Sequence, residues 1–344
     1  METTMTPRIP LRSALAIGLT TLLSAGVHAA DPALPKLDLD PARTTVSGLS
    51  SGAYMAHQVH LAYSDHLAGA ALIAGGPYHC AEGSLQTALA RCMMPADGKG
   101  PDAKALAQHA NEAAKAGRIA PLSGLAGDRV LILHGKADKT VAESLSADTA
   151  ALYRDIAPKA VLHEDLARGF THTFPTVDAG ASCDTATTPF VGKCGFDAAG
   201  AIFADLYGKP PHAANEATGE LRTFDQDAFR ADGADAFLSR TGYVYVPKAC
   251  ADGSKCALHI AFHGCQQNAD TVGEAFVREA GYNRWADAYG VVVLYPQARA
   301  SMAPLNPKGC WDWWGYSGES YDTRDGVQLR AVAGMSAALG APLR

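Results

Sequence analysis

Five residues, Gly48-Leu49-Ser50-Ser51-Gly52, restrict the folds open to this chain more than any other stretch. They match the pattern G-x-S-x-G. A β-branched run at residues 44–46, in a strand read at 44–47, precedes them, and an apolar-patterned segment at 53–64 that reads as a helix follows. A serine in that setting sits on a sharp strand-to-helix turn, which lifts its hydroxyl above a sheet. The flanking glycines let strand and helix approach where a Cβ would clash. The pentapeptide alone arises by chance in chains rich in Gly and Ser. The strand before it and the helix after it give it meaning. Ser50 is therefore the candidate nucleophile.

The rest of the chain supplies the sheet that such a turn needs. Residues 69–74, 129–134, 160–165, 242–247, 257–262 and 290–295 read as strands, and 102–116, 142–156, 272–289 and 325–339 as helices. The run at 129–134 (R-V-L-I-L-H) is apolar without alternation, as a strand buried on both faces of a parallel sheet must be. Strands alternating with helices imply an α/β fold, a mostly parallel sheet flanked by helices. No repeat, low-complexity stretch or Ser/Thr-rich linker interrupts it, so residues 30–344 read as a single domain. Hydrophobic residues make up 48% of the chain and charged ones 19%, which fits one packed core.

Residues 1–29 read as a signal peptide. Arg8 and Arg12 precede an apolar run at 15–23, and Val27-His28-Ala29 offers a cleavage site. That run is too short to span a hydrocarbon layer of about 30 Å. The expectation is a soluble exported protein, extracellular or periplasmic, without a membrane span. The net charge is −6, and no cluster of Lys and Arg occurs, which excludes nucleic acid as a partner. Eight cysteines behind a leader point to disulfides. Close spacing suggests Cys80–Cys92, Cys183–Cys194 and Cys250–Cys256, leaving Cys265–Cys310, one choice among many connectivities. No CxxC spacing supports a structural metal, and no cofactor or metal is expected.

A serine hydroxyl needs a base, and the base an orienting carboxylate. Asp138 lies in the loop just beyond the apolar strand 129–134, where open α/β sheets carry their sites. His172, in Gly169-Phe170-Thr171-His172-Thr173-Phe174, follows the strand at 160–165. Ser50, Asp138 and His172 then occur in the order this chemistry takes on such sheets. His163 reads as an edge residue, His134 and His263 as loop anchors, and His57, His60 and His66 as surface histidines. A developing oxyanion also needs donors. The backbone N–H of Ser51 is one, and that of Cys265, in Phe262-His263-Gly264-Cys265, is the other. A nucleophilic role for the Cys265 thiol is the weaker reading, because an exported thiol among seven others oxidises.

The order of these parts is unusual. In an α/β-hydrolase the strand and loop carrying the HG motif come before the nucleophile turn, whereas here they follow it by about 200 residues. The chain reads as a circular permutation of that fold. Gly48-Leu49-Ser50-Ser51-Gly52, His172-Thr173-Phe174-Pro175, His263-Gly264-Cys265-Gln266-Gln267 and Cys310-Trp311-Asp312-Trp313-Trp314 together resemble the secreted single-domain poly(3-hydroxybutyrate) depolymerases of circularly permuted topology. The resemblance implies a cofactor-free serine esterase of short-chain polyhydroxyalkanoates. Ser50, Asp138 and His172 would be its triad, with Trp314, Trp313 and Trp311 lining a hydrophobic subsite. Packing alone is the competing reading of the tryptophans. No separate polymer-binding domain is visible, so adsorption to solid polyester would fall to exposed aromatics or be weak. A feruloyl or acetyl esterase acting on plant polysaccharide is a second reading of the same site. A non-catalytic exported binding protein on a hydrolase scaffold is a third. A monomer is expected.

Overall fold

Apolar runs become the strands of an eight-stranded sheet, and their burial decides their place in it. The strands are β1 (Leu39–Leu49), β2 (Gly69–Ile73), β3 (Arg129–Gly135), β4 (Val161–Arg168), the short β5 (Phe174–Thr176), β6 (Ala181–Ser182) and β7 (Val191–Lys193), then β8 (Glu220–Asp225), β9 (Thr241–Val246), β10 (Cys256–Phe262) and β11 (Val291–Tyr295). The structure is a computed structural model that describes residues 1–3, 33–96, 98–214 and 216–344. Beyond its first three residues, the leader expected at 1–29 lies outside the described residues. Asp31–Arg344 form one compact unit.

The sheet order is β4-β3-β2-β1-β10-β11-β9-β8, and β5-β7-β6 form a small separate sheet. Pairing is parallel from β4 through to β11 and antiparallel at β11–β9 and β9–β8. The central strands β2, β10 and β11 are buried throughout. β4, at the edge, is mostly exposed and carries charge: Glu164 pairs with Arg154, and Arg168 with Asp165 at 2.5 Å. Charges on an exposed edge discourage pairing with another chain.

Strand order explains the reversed motifs. β1 to β4 fill one half of the sheet and β8 to β11 the other, with β1 and β10 paired in parallel at the seam. The chain's last helix, Val327–Leu339, ends beside the lead-in to β1: Leu37 N–H donates to Leu339 O at 2.9 Å. A Cβ on Gly340 would lie 2.5 Å from Leu37 O, so the two segments touch closely. In unpermuted order that helix would run directly into β1. This is the join left by a circular permutation of an α/β-hydrolase.

Several elements differ from expectation. The single helix expected at 272–289 is three pieces, Ala269–Val272, Ala275–Glu279 and Tyr282–Tyr289. Gly273 and Gly281, at φ 60° and 88°, break it. The helices Leu85–Arg91 and Ala198–Tyr207 and the strand β8 were not read from the pattern. His57 and His60 are not surface residues, because every residue of the helix Ser51–Ala62 is buried. His57 stacks on Tyr153 at 4.8 Å, and burial pushes its pKa down to about 3. His60 bonds Tyr153 Oη at 2.8 Å and Asp128 at 3.0 Å. Those partners, distant in sequence, satisfy an imidazole that would otherwise require water. His66 is partly exposed.

Candidate active site

The turn between β1 and the helix Ser51–Ala62 is forced by contact. Ser50 takes φ 57° and ψ −122°, a left-handed φ that a non-glycine residue adopts at an energetic cost. A Cβ on Gly48 would fall 2.2 Å from the Gly52 carbonyl group. One on Gly52 would fall 2.3 Å from Phe262 O and 2.4 Å from His263 O. Both positions therefore exclude any side chain, and the helix start packs directly on the end of β10. Ser50 N–H donates to Ile73 O at 2.9 Å, which ties the turn to β2.

Asp138 sits in the loop after β3. Its Oδ1 accepts from Thr140 N at 2.7 Å and Val141 N at 3.0 Å, while His172 Nδ1 lies 2.7 Å from its Oδ2. Burial pushes the Asp138 carboxyl upward, but the His172 hydrogen bond and charge, aided by the two amides, outweigh it. The net direction is below the usual carboxylate value. An ionised carboxylate at Nδ1 places the ring proton there and leaves Nε2 free to accept. The loop carrying His172 is held by the small sheet: Thr171 N–H donates to Cys183 O at 3.2 Å and Phe174 N–H to Phe190 O at 2.8 Å.

Ser50 and His172 line one cavity of about 240 Å³, together with Thr140, Phe190, Gly264 and Cys265. No hydrogen bond joins Ser50 Oγ to His172 among the described residues, although both line this cavity. His134 and His263 anchor loops, and His134 Nε2 also lies 3.8 Å from Asp138 Oδ2, behind the carboxylate that faces His172. His134 bonds Ser146 Oγ at 2.8 Å and Val141 O at 3.1 Å. His263 bonds Gly264 O at 2.7 Å and Ala298 N at 3.0 Å, and burial lowers its pKa to about 4. His163 is an exposed β4 residue beside Asp205.

The HG loop passes close to the nucleophile at Gly264. A Cβ there would lie 3.6 Å from Ser50 Cβ. Gly264 N–H donates to Gln267 Oε1 at 2.7 Å, and Gln266 N–H to Lys308 O at 2.7 Å. Among the described residues the amide between them, Cys265 N–H, has no acceptor, and neither has Ser51 N–H. Both residues border a second cavity with Ser50. Gln267 is fully buried and also donates to Pro189 O and Phe190 O, both at 3.0 Å, so it braces the loop. Its place in the HGCQQ motif was visible in the sequence, but its role was not.

The second cavity, about 270 Å³, is apolar. Tyr54, Leu85, Leu89, Val141, Trp313 and Trp314 line most of it. Lys308 reaches both cavities and is the one lining residue with a permanent charge. Trp313 stacks on Tyr54 at 4.4 Å and meets Trp314 edge-on at 5.5 Å. The expectation for Trp311 is corrected. It is fully buried, packs edge-on against Phe262 at 5.0 Å, and lines neither cavity. Asp312 makes the difference. Its carboxylate accepts from the amides of Trp314, Gly315, Tyr316 and Ser317, closing a turn with Trp311 behind it and the two later tryptophans ahead. Burial raises the Asp312 pKa against the pull of those amides.

The eight cysteines form four disulfides, Cys80–Cys92, Cys183–Cys194, Cys250–Cys256 and Cys265–Cys310. The last joins the HG loop to the tryptophan turn, so the Cys265 sulfur is bonded and no free thiol remains.

The profile of the esterase PHB depolymerase family matches residues 241–339, the stretch from β9 through the last helix. A poly(3-hydroxybutyrate) depolymerase of Delftia acidovorans is 40% identical over 94% of this chain, and the match spans 65% of that relative's length. A polyhydroxybutyrate depolymerase of Talaromyces funiculosus is 36% identical over 88% of this chain and 91% of its own. The crystal structure of a PHB depolymerase from Penicillium funiculosum superposes with a TM-score of 0.80 at 32% identity, covering 90% of this chain and 98% of that one. A structure of a PHB depolymerase complexed with an R3HB trimer matches equally well, with a TM-score of 0.80 over 91% of this chain.

Proposed function

Because the chain belongs to the esterase PHB depolymerase family, we propose that it cleaves the backbone esters of poly(3-hydroxybutyrate) and its short oligomers by acyl transfer through Ser50. His172 Nε2 takes the hydroxyl proton as Ser50 Oγ attacks the ester carbonyl. Asp138 holds the ring in the tautomer that allows this and stabilises the imidazolium that forms. The Ser51 and Cys265 amides receive the oxyanion, and His172 returns the proton to the departing hydroxyacid alcohol. Water then enters through the same base and releases the acid. No cofactor is needed for any step.

The observation that carries this reading is the convergence on Ser50 of a carboxylate-oriented imidazole, two unoccupied amides and an apolar cavity. The repeating unit of the polyester carries a methyl side group and no charge. A cavity walled by Leu85, Leu89, Trp313 and Trp314 suits it. The same wall offers little to a feruloyl or acetyl polysaccharide, whose sugar hydroxyls need polar partners. A non-catalytic scaffold would have no reason to keep the strained Ser50 turn. Four disulfides support an exported protein, and among the described residues no helix is long and apolar enough to cross a membrane. We take the working unit to be a monomer.

Product analysis on amorphous poly(3-hydroxybutyrate) tests the proposal. The protein should clear the suspension and release 3-hydroxybutyrate and its oligomers. Ser50→Ala should lower the rate by about 10⁴-fold or more. Clearing that survives this substitution, or turnover of feruloyl esters in place of the polymer, would show the reading to be wrong.

A further inference from the structure

We propose that His79, His109 and Asp322 form a binding site for a divalent transition ion of the zinc type, separate from the ester-cleaving site. The three residues come from three segments: the turn after β2, the helix Ala103–Lys115, and the loop before the last helix. Their ligand atoms all lie within 4.8 Å of one another. His79 Nδ1 is 2.6 Å from Asp322 Oδ2, and His109 Nε2 is 4.0 Å from the same oxygen. That His109 nitrogen is buried without a hydrogen-bond partner, an unfavourable state that a ligated ion would relieve. His79 holds φ 60°, backbone strain outside the catalytic turn that the ester chemistry does not use.

Two imidazoles and one carboxylate favour zinc, cobalt or nickel. Calcium and magnesium prefer oxygen donors alone. A tetrahedral zinc ion sets its ligand atoms about 3.3 Å apart. The His79–Asp322 contact must open and the His109–Asp322 gap must close, each by less than about 1 Å. The two rings stack, with centroids 3.4 Å apart and planes 4° apart. An ion lies in the plane of each ring that binds it, so one ring must swing out of the stack. His109 is the one free to do so, because its Nε2 is unpartnered and its side chain is partly exposed. Tyr78 Oη donates to Asp322 O at 3.1 Å and fixes the loop from behind.

The position gives the site a purpose. His79 adjoins Cys80, whose bond to Cys92 brackets the helix Leu85–Arg91, and that helix supplies Leu85 and Leu89 to the apolar cavity. Asp322 follows the tryptophan turn, and a Cβ on Gly315 of that turn would lie 3.0 Å from Gly83 Cα. An ion here would tie both walls of the cavity to the helix Ala103–Lys115. It would stabilise the cleft and take no part in ester cleavage. No sequence spacing announced this cluster, because its members lie on separate elements.

The test uses the untagged full chain, stripped with a chelator and titrated with cobalt and then zinc. The expected result is one ion per chain, with the visible absorption of four-coordinate cobalt, bleached by zinc, and a higher unfolding temperature with zinc bound. His109→Ala and Asp322→Asn should each weaken binding by at least about tenfold. Whatever stability His109→Ala loses with the stacked ring, its unfolding temperature should not rise when zinc is added, unlike that of the stripped parent. Absence of stoichiometric binding by the parent would overturn the proposal. So would a His109→Ala variant that binds as tightly as the parent, since the ion would then sit on other histidines.

Discussion

At Asp138 burial and pairing act in opposite directions, and pairing prevails. Its carboxylate therefore stays ionised near neutral pH and can accept the His172 Nδ1 hydrogen bond as an anion. Asparagine at this position would keep the shape but could present an N–H to Nδ1. That would move the ring proton to Nε2 and block its use as a base. Asp138→Asn should lower kcat by about 10⁴-fold while leaving KM and the circular dichroism spectrum nearly unchanged. A variant retaining a tenth of the parent rate would remove Asp138 from the mechanism. The positions of Ser50, Asp138 and His172 just beyond strands were legible in sequence, and the structure places Asp138 against His172 and Ser50 on the same cavity as His172. The place of Trp311 was not legible. The pattern Cys310-Trp311-Asp312-Trp313-Trp314 names three tryptophans but cannot say which face the core, and that depends on the turn Asp312 closes around four amides.

The elements around the site are pinned unequally by their disulfides. Cys265–Cys310 closes 45 residues and ties the HG loop to the tryptophan turn, whereas Cys250–Cys256 closes 6 residues away from both cavities. On chain entropy the first is worth about 4 kcal/mol and the second about 2 kcal/mol. Replacing both cysteines of the short loop by alanine should lower Tm modestly and spare ester hydrolysis. Replacing Cys265 and Cys310 should lower Tm further and abolish activity even below the new Tm, because the Cys265 amide loses its position. Equal effects in thermal unfolding and soluble-ester assays would refute this ranking. Elements buried on both faces, such as β3, β10 and β11, were readable because continuous apolar runs have few other places to go. The strand β8, with the pattern E-L-R-T-F-D, was missed because an edge strand half open to water carries no such run. The helix expected at 272–289 failed for a different reason. Its apolar spacing continues through Gly273 and Gly281, and only their positive φ values reveal the breaks.

Across the whole molecule, the permutation makes a demand on the ends of the chain. Aromatic side chains were expected to mediate adsorption to solid polymer, but among the described residues the exposed large hydrophobic side chains are aliphatic, including Leu89, Met94, Met302 and Leu305. Met94 and Met302 line neither cavity, so replacing both by serine should weaken adsorption to a polyester film and leave cleavage of a soluble trimer unchanged. Adsorption equal to the parent's would move the contact elsewhere. The stronger test concerns connectivity. The last helix and the lead-in to β1 already touch through Leu37 N and Leu339 O at 2.9 Å, so a short Gly/Ser linker from Arg344 to residue 36 should join them without strain. Opening the chain between Pro211 and His212, both exposed, separates the helix Ala198–Tyr207 from β8, where the two halves of the sheet meet in sequence. The resulting chain would run β8, β9, β10, β11, last helix, β1, the order of an unpermuted hydrolase. It should fold with the same four disulfides and cleave a soluble ester within about threefold of the parent rate, since no contact at Ser50 changes. A matched control carrying the linker but keeping the native ends isolates the effect of connectivity. Should the control fold and the rearranged chain not, the order of synthesis, beyond the set of contacts, would be a requirement of this fold.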